Sequence, residues 1–426
     1  MIVRGGTVVT ARGVEQADVA IDRGRITRVG QGVEGHGDVI DASGLHVLPG
    51  GIDSHVHFNE PGRTEWEDIA HGSAALAAGG YTSFVDMPLN SLPVTTTAAA
   101  FDRKLEALGR SSRLDFGLWA GLVPDNLDEL DGLVERGVAG FKAFMCPSGI
   151  DEFPACDLET LRKGMERIAA LGSIVLVHAE APERLDDPRG PGPLDFARSR
   201  PVEAEIEAIE QVIGLARDTG CRTHVVHVST VRGITLIGEA QLRGVDISAE
   251  TCPHYLLYAE EDLERLGGIG KCAPPFRSAG NRDDLRAMVA AGEVEMVVSD
   301  HSPSTLDLKQ GRDFTKIWGG IAGCQSTRQL LLAMEAIELP VLAAITSTNI
   351  ARRLGLTDKG DIAPGYDADL WIVDLGHEDV VRREDLLYLN RYSAHEGQRI
   401  RGRTVRTLLR GADPGEGQLI GRGERS

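Results

Sequence analysis

The chain has 426 residues, of which 42% are hydrophobic, enough for one large domain with a sizeable core and a smaller second domain. Its formal net charge of −19 argues against nucleic acid and anionic membranes as partners, and no apolar run reaches the roughly 20 residues of a membrane span. The six cysteines form no CxxC pair and the N-terminus lacks a signal-peptide pattern, so we expect a protein of the reducing cytoplasm.

The two ends of the chain show β patterns. Near the N-terminus, apolar runs at 19–21 and 26–29 flank a turn. Short β-type runs return from about residue 355 and include the stretch 367–374. We therefore expect residues 1–50 and 355–426 to form one composite β-sandwich domain.

Residues 51–354 alternate short apolar runs with amphipathic stretches of helical length, for example 127–135 and 203–216, which is the βα pattern of a parallel sheet. The predicted strands are 52–57, 81–87, 114–120, 138–144, 173–179, 223–229, 245–249 and 294–300. About eight βα units predict an α/β fold with a closed (β/α)8 TIM barrel over 51–354. A doubly wound open sheet is the alternative, although no Gly-x-Gly-x-x-Gly follows the first of these strands.

Polar residues stand at the ends of several predicted strands, where a (β/α)8 barrel places its active site. His55 and His57 are two residues apart on the first strand, so they share a face and can bind one metal ion. Lys142 lies among apolar residues of the fourth strand. A buried, unpaired amine there should lose its proton; the alternatives are a lysine that reaches the rim or one that is ion-paired.

Three later strands supply the remaining candidates. The fifth strand ends in His178, and the sixth contains His224 and His227, which strand alternation puts on opposite faces. We predict that His227 is a metal ligand and that His224 is structural. The eighth strand ends in Asp300, a candidate ligand and catalytic general base, whereas His301 should point away from it.

Four histidines, one lysine and one aspartate are too many ligands for one tetrahedral ion and suit two divalent ions with a shared bridge. Four positive charges would repel an ammonium, so Lys142 should be neutral or converted to an anion. Carboxylation of its amine by carbon dioxide would give a bridging carbamate. Zinc fits these nitrogen and oxygen ligands, and cobalt, manganese and iron also fit.

This set of residues resembles that of the cyclic amidohydrolases, which include dihydroorotase, dihydropyrimidinase or hydantoinase, and allantoinase. The resemblance covers nearly the whole chain, and bacterial allantoinases are the most similar group. The similar segments are 57–67, 86–91, 252–255, 271–275, 299–303, 318–323 and 364–370. The resemblance implies hydrolysis of the cyclic amide of allantoin to allantoate, a small cyclic ureide as substrate, two bound metal ions, and a homotetramer by family analogy.

Position 59 separates the members of this family. Dihydroorotases typically place an arginine there to bind the substrate carboxylate, and Asn59 suits a neutral ureido group better. Arg63 could replace that arginine, so dihydroorotase stays open. Hydantoinase stays open too, although its cavity mouth is usually more apolar than 87–90 is here.

The resemblance also implies the substrate contacts. Asn90 and Ser302 are the candidates for side-chain contacts, and the backbone at Ala273 and Gly320 for contacts with the ring. His254 is expected to support the site from outside the layer that touches substrate, as is Arg63 if it does not bind substrate itself.

Two further expectations concern the whole site. The connection 179–200 looks shorter and richer in proline and glycine than in relatives, which could alter a loop over the site. A non-catalytic homologue should have lost metal ligands, whereas all six candidates are present here.

Overall fold

The computed structural model describes residues 1–421, in which fifteen strands form two sheets. The strands are β1 (Ile2–Thr10), β2 (Gly13–Asp22), β3 (Arg25–Gly30), β4 (Val39–Asp41), β5 (His46–Pro49), β6 (Gly51–Val56), β7 (Tyr81–Asp86), β8 (Asp115–Gly121), β9 (Gly140–Phe144), β10 (Ile174–His178), β11 (Arg222–Val225), β12 (Ile247–Thr251), β13 (Met296–Val297), β14 (Leu370–Val380) and β15 (Arg399–Leu408).

Helices follow most of the inner strands. They are α1 (Ile69–Ala78), α2 (Ala98–Ser111), α3 (Leu130–Glu135), α4 (Leu158–Ala170), α5 (Pro193–Arg198), α6 (Val202–Thr219), α7 (Val231–Leu242), α8 (Pro253–Leu257), α9 (Asp262–Leu266), α10 (Ala279–Ala290), α11 (Thr327–Ala333), α12 (Leu339–Ala343) and α13 (Asn349–Leu354). Side chains of Asp68, Thr97 and Asp157 cap α1, α2 and α4 by accepting backbone N–H groups of the first turn. None of the helices within residues 1–421 is both long enough and apolar enough to cross a membrane.

The first five strands and the last two form one seven-stranded sheet, in the order β15-β14-β5-β1-β2-β3 with β4 beside β1. Alternate residues such as Val8, Val19 and Ile372 fill an apolar core that belongs to this sheet. The predicted composite β domain is therefore present, and hydrogen bonds connect all seven strands into one sheet. The boundaries at residues 50 and 355 stay a prediction.

Strands β6 to β13 form the second sheet, in which they pair in parallel and in chain order. The two ends of this sheet meet, because Val56 bridges His301 in parallel and the backbone N–H of His57 donates to the carbonyl of His301 at 2.8 Å. This closure confirms the (β/α)8 barrel and excludes the open doubly wound sheet. Apolar side chains of the eight strands and their helices fill the large core of the molecule.

Two of the barrel strands end three or four residues before their predicted ends. Strand β11 ends at Val225 and β13 at Val297, so His227 and Asp300 lie beyond the strands in turns. Both residues have a positive φ, 40° for His227 and 46° for Asp300. A left-handed backbone is uncommon for residues other than glycine, and here it turns the chain at the carboxyl end of each strand.

Candidate metal centre and active site

A cavity of about 360 Å³ opens at the carboxyl ends of the barrel strands, within the size range of small-molecule sites. All six predicted metal ligands line this cavity: His55, His57, Lys142, His178, His227 and Asp300. The fold thus brings together residues that are up to 245 positions apart in the sequence, from His55 to Asp300.

His55, His57 and Asp300 form the first group of donor atoms. Oδ1 of Asp300 lies 3.2 Å from Nε2 of His55 and 3.4 Å from Nε2 of His57. One ligand atom from each residue lies within 4.8 Å of the other two. This spacing suits three ligands of one cation.

His178 and His227 form the second group. Nδ1 of His178 lies 3.1 Å from Nε2 of His227. Two imidazole nitrogens bound to one tetrahedral zinc ion lie about 3.3 Å apart, so the separation suits a shared ion. Burial lowers the pKa of His178 and lowers that of His227 well below its ordinary value, so both rings are neutral.

The outer nitrogens of three rings contact acceptors away from the cavity. Nδ1 of His55 lies 2.5 Å from Oε1 of Glu250, Nδ1 of His57 lies 2.6 Å from the carbonyl of Leu89, and Nε2 of His178 lies 2.7 Å from Oε2 of Glu180. These acceptors favour the tautomer that carries its proton on the outer nitrogen, in which the lone pair of the inner nitrogen is free to bind a metal.

Lys142 lies on β9 and is almost fully buried. Its Nζ has no hydrogen-bond partner among residues 1–421 and lies 4.9 Å from the centre of the Phe144 ring. Burial lowers the pKa of Lys142 to about 8, so a free amine is accessible near neutral pH. An unpartnered amine beside inward-facing imidazole lone pairs and a carboxylate is a donor set that fits divalent cations.

Four of the predicted substrate contacts also line the cavity: Asn90, Ser302, Ala273 and Gly320. The lining residues further include Phe144, Ser148, Phe196, Arg200, Lys271, Ile317 and Trp318. The cavity therefore combines a polar floor with partly aromatic walls.

Asn59 does not line the cavity. Its side chain is fully buried, and neither its amide nitrogen nor its amide oxygen has a hydrogen-bond partner in the described part of the chain. The backbone N–H of Asn59 donates to Glu67, and its carbonyl accepts from Arg63. Asn59 is therefore not among the residues that line the cavity, and its direct contact with substrate stays a prediction.

Arg63 and His254 also lie outside the cavity lining. The Arg63 guanidinium donates to the carbonyl of Asn90 at 2.8 Å and lies 5.0 Å from the Trp66 ring centre, so it holds the segment that brings Asn90 to the site. His254 is fully buried near Asp300, and burial lowers its pKa to about 4.

The two remaining predicted histidines have structural contacts. His224 bonds to Ser248 through Nδ1 at 2.7 Å and to Glu250 through Nε2 at 3.1 Å. His301 accepts a hydrogen bond from the backbone of Gly323 and faces Glu67 at 3.4 Å. Neither histidine lines the cavity.

Sequence reasoning missed the acidic residues that orient the histidines. Glu250 contacts both His55 and His224, and Glu180 contacts His178. Both carboxylates are fully buried. Glu250 extends the predicted seventh strand by one residue and Glu180 lies two residues after His178, so acidic residues at strand ends were the available signal.

The connection after His178 forms part of the cavity wall. It contains α5, and both Phe196 and Arg200 line the cavity. The carbonyl of Pro191 accepts the backbone N–H of Phe314 at 2.8 Å, and the Phe196 and Phe314 rings are 5.6 Å apart. This connection is thus joined to the loop 306–320 on the neighbouring side of the cavity.

A closed parallel barrel with inward-facing imidazoles, a buried lysine and an aspartate at its carboxyl end defines a metal-dependent hydrolase. The chain belongs to the amidohydrolase family, whose model matches residues 46–406.

The similar proteins agree with this assignment. The chain is 50% identical to an allantoinase of Rubrobacter xylanophilus, covering 99% of this chain and 95% of the relative. It is also 50% identical to an allantoinase of Solibacter usitatus, covering 96% and 92% of the two chains. Among solved structures, the L-hydantoinase (dihydropyrimidinase) of Arthrobacter aurescens superposes with a TM-score of 0.94 at 31% identity, covering 99% of both chains.

Proposed function

We propose that this protein hydrolyses the cyclic amide of allantoin to give allantoate. The observation that favours this substrate is the 50% identity, over nearly the full chain, to two relatives named allantoinase. A cavity of about 360 Å³ with polar residues beside the ligand cluster is consistent with a small cyclic ureide.

The metal centre in this proposal holds two divalent ions, with zinc as the expected metal. His55, His57 and Asp300 would bind one ion, His178 and His227 the other, and Lys142, carboxylated on Nζ, would bridge them. Bound divalent ions lower the pKa of water and polarise an amide carbonyl. The unpartnered Nζ and the lowered pKa of Lys142, about 8, support the bridging role because carboxylation needs the free amine.

Asp300 is the proposed proton carrier. Its carboxylate accepts the proton of the attacking water and delivers that proton to the ring nitrogen as the C–N bond of the cyclic amide breaks. The oxygen from water stays on the carbonyl carbon and becomes part of the new carboxylate. The positive φ of Asp300, 46°, aims its side chain toward His55 and His57.

Substrate orientation is assigned to four residues of the cavity wall. The side chains of Asn90 and Ser302 are the candidates for contacts with the ureido and ring groups, and the backbone at Ala273 and Gly320 is the candidate for contacts with ring carbonyls or N–H groups. All four residues line the cavity, which supports this assignment. Backbone contacts require a close approach, and a glycine without a side chain permits it.

A hydantoinase or dihydropyrimidinase activity is the second candidate. The high structural similarity to the L-hydantoinase of Arthrobacter aurescens favours it, with a TM-score of 0.94. The relevant test is turnover of allantoin, hydantoin, dihydrouracil and dihydroorotate by the same metal-replete preparation, with metal content assayed. Preference for allantoin with close to two metal ions per chain supports the proposal. Preference for hydantoin or dihydrouracil would replace the substrate while keeping the metal centre.

Substitution of Lys142 tests the bridge. We expect Lys142→Ala to lose at least one of the two metal ions and at least 100-fold in kcat, the lower part of the range for loss of a directly acting group. Metal content by elemental analysis and turnover of allantoin are the measurements. Lys163→Ala is the control, since Lys163 is exposed and pairs with Glu159 on α4. A Lys142→Ala protein with full metal content and activity would disprove the bridging role.

The proposed setting is a homotetramer in the cytoplasm. All six cysteines are buried free thiols, which is consistent with a reducing compartment. Light scattering after size-exclusion chromatography should give four times the mass of one chain.

A further inference from the structure

Arg200 forms an ion pair directly behind one of the proposed metal ligands. Its Nη2 lies 2.5 Å from Oε2 of Glu180, and its Nε lies 3.1 Å from Oε1 of the same carboxylate. Oε2 of Glu180 is also 2.7 Å from Nε2 of His178. One carboxylate thus connects a guanidinium to the outer nitrogen of a cavity imidazole.

This pair is held rigidly. Glu180 is fully buried, and the Arg200 side chain is only 17% exposed. Nη2 of Arg200 also lies 3.5 Å from Sγ of Cys146, and the Arg200 carbonyl accepts Nη1 of Arg277 at 2.6 Å. A bidentate guanidinium fixes the plane of a carboxylate as well as its charge.

The first group of donor atoms, from His55, His57 and Asp300, has no comparable carboxylate–guanidinium pair behind a ligand ring. Glu250, which orients His55, contacts His224 and Ser54, and it has no arginine or lysine within salt-bridge distance in the described residues. In the group that contains His178, the outer nitrogen of His227 has no hydrogen-bond partner in residues 1–421. On the His178 side, the Glu180–Arg200 pair is therefore the contact that reaches the outer nitrogen of a ligand ring among the described residues.

We propose that Arg200 is a positioning residue that acts through Glu180 to hold His178, and thereby controls the retention of the metal ion bound by His178 and His227. The proposal rests on the two-metal centre of the proposed function. It extends that function by giving the connection 179–200 a role in metal binding beyond its place in the cavity wall. A residue that orients a metal-binding histidine typically changes metal affinity by 10–100-fold when it is removed.

The test measures metal release from the folded protein. Metal-loaded wild type, Arg200→Met, Arg200→Lys and Glu180→Gln are mixed with an excess of chelator, and the release of each equivalent is followed by absorbance. We expect one of the two equivalents to leave at least 10-fold faster from Arg200→Met and Glu180→Gln, while the other leaves at the wild-type rate. Arg200→Lys should restore part of the difference, since an ammonium keeps the charge but loses the bidentate geometry.

Arg184→Met is the matched control, because Arg184 lies in the same connection and forms an exposed ion pair with Glu207. Its release profile should equal that of wild type. Thermal melting of each variant separates local loss of metal from unfolding.

Two results would overturn the inference: unchanged release from Arg200→Met while Glu180→Gln releases metal quickly, or equal acceleration of both equivalents. Failure of the proposed function gives a different result, namely a wild-type protein that does not hold two metal ions at all.

Discussion

Asp300 lies where the chain turns sharply after the shortest barrel strand. Its carboxylate is 3.2 Å from His55 and 3.4 Å from His57, and it lines the cavity. It is therefore placed both to bind a metal and to transfer a proton. Replacing the carboxylate with an amide separates these two tasks. An amide at position 300 has a similar shape and can still bind a metal ion weakly, but it cannot accept and deliver the proton.

We expect Asp300→Asn to lower kcat by about 100- to 10,000-fold, the range for loss of a general base. The measurement is turnover of allantoin at fixed metal content per chain. Asp307→Asn is the control, because Asp307 is exposed on the following loop. A variant that retains more than a tenth of the wild-type kcat would show that another group moves the proton.

The backbone at Gly320 leaves no room for a side chain. Its φ is 118°, and a Cβ built on it would lie 2.2 Å from the carbonyl oxygen of Ser302. Its own N–H donates to the carbonyl of Lys271 at 2.7 Å. The cavity wall at Ser302 can have this shape only without a side chain at position 320.

Gly320→Ala should therefore displace Ser302, lower kcat/KM at least 10-fold and destabilise the protein by about 1–3 kcal/mol. Steady-state kinetics and thermal melting measure the two effects. Gly319→Ala is the paired control, since its Cβ would have its nearest neighbour at 3.9 Å, in ordinary contact. Equal effects from both alanines would contradict the steric explanation.

At the scale of elements, two buried lysines bind backbone carbonyls of the loop 306–320, Lys271 from outside the loop and Lys309 from within it. Nζ of Lys271 donates to the carbonyls of Phe314, Thr315 and Ile317 at 2.6–3.0 Å. Nζ of Lys309 donates to the carbonyls of Trp318 and Gly320. An irregular loop has backbone carbonyls without strand partners, and these lysines satisfy them.

Substitution of Lys309 should loosen this loop without removing a metal ligand. We expect Lys309→Met to raise KM for allantoin about 10-fold, equivalent to about 1.4 kcal/mol of lost binding, with metal content unchanged. Hydrogen exchange of 306–320 should be faster. Arg312→Met, an exposed change in the same loop, is expected to be neutral. Unchanged exchange in Lys309→Met would show that the other contacts of the loop suffice.

At the scale of the whole molecule, Lys359 connects the barrel to the β sheet. Its Nζ lies 2.8 Å from Asp115 on β8, 2.9 Å from Asp367 and 2.8 Å from Asp369, which precedes β14. All four side chains are buried. The three carboxylates resemble a cation site, and the lysine ammonium is the cation they bind.

Lys359→Met should destabilise the protein by about 3–5 kcal/mol at pH 7, because it removes the ammonium that three buried carboxylates share. Chemical denaturation followed by circular dichroism measures this loss. Lys163→Met, at an exposed helix pair, should cost less than about 1 kcal/mol. A similar cost for both variants would show that the remaining partners of the aspartates compensate.

The same cluster predicts a dependence of stability on pH. Burial opposes the charge of Lys359, but the three aspartates outweigh it and raise the pKa of Lys359 above its ordinary value of 10.5. The stabilisation is therefore complete below about pH 10.5 and is lost as the pH rises through the folded pKa. The free energy of unfolding of wild type should fall above this pH, whereas that of Lys359→Met should fall less.

Local patterns in the sequence determined the barrel, the composite β domain and four cavity residues on strands or directly after them. His55, His57, Lys142 and His178 could be placed because strand alternation is set by neighbouring residues. The number of βα units was readable for the same reason. The strand ends were less certain, since hydrogen bonds with neighbouring strands decide where a strand stops.

Only the tertiary structure decided the remaining parts of the site. The turns at His227 and Asp300 need a positive φ that no local sequence pattern predicts. Arg200 and Glu180 come into contact only because the connection between them folds back. Asn59 is fully buried outside the cavity lining although it follows His57 by two residues. The orientation of a side chain beyond a strand end depends on contacts between distant segments, and these contacts exist only once the barrel has closed.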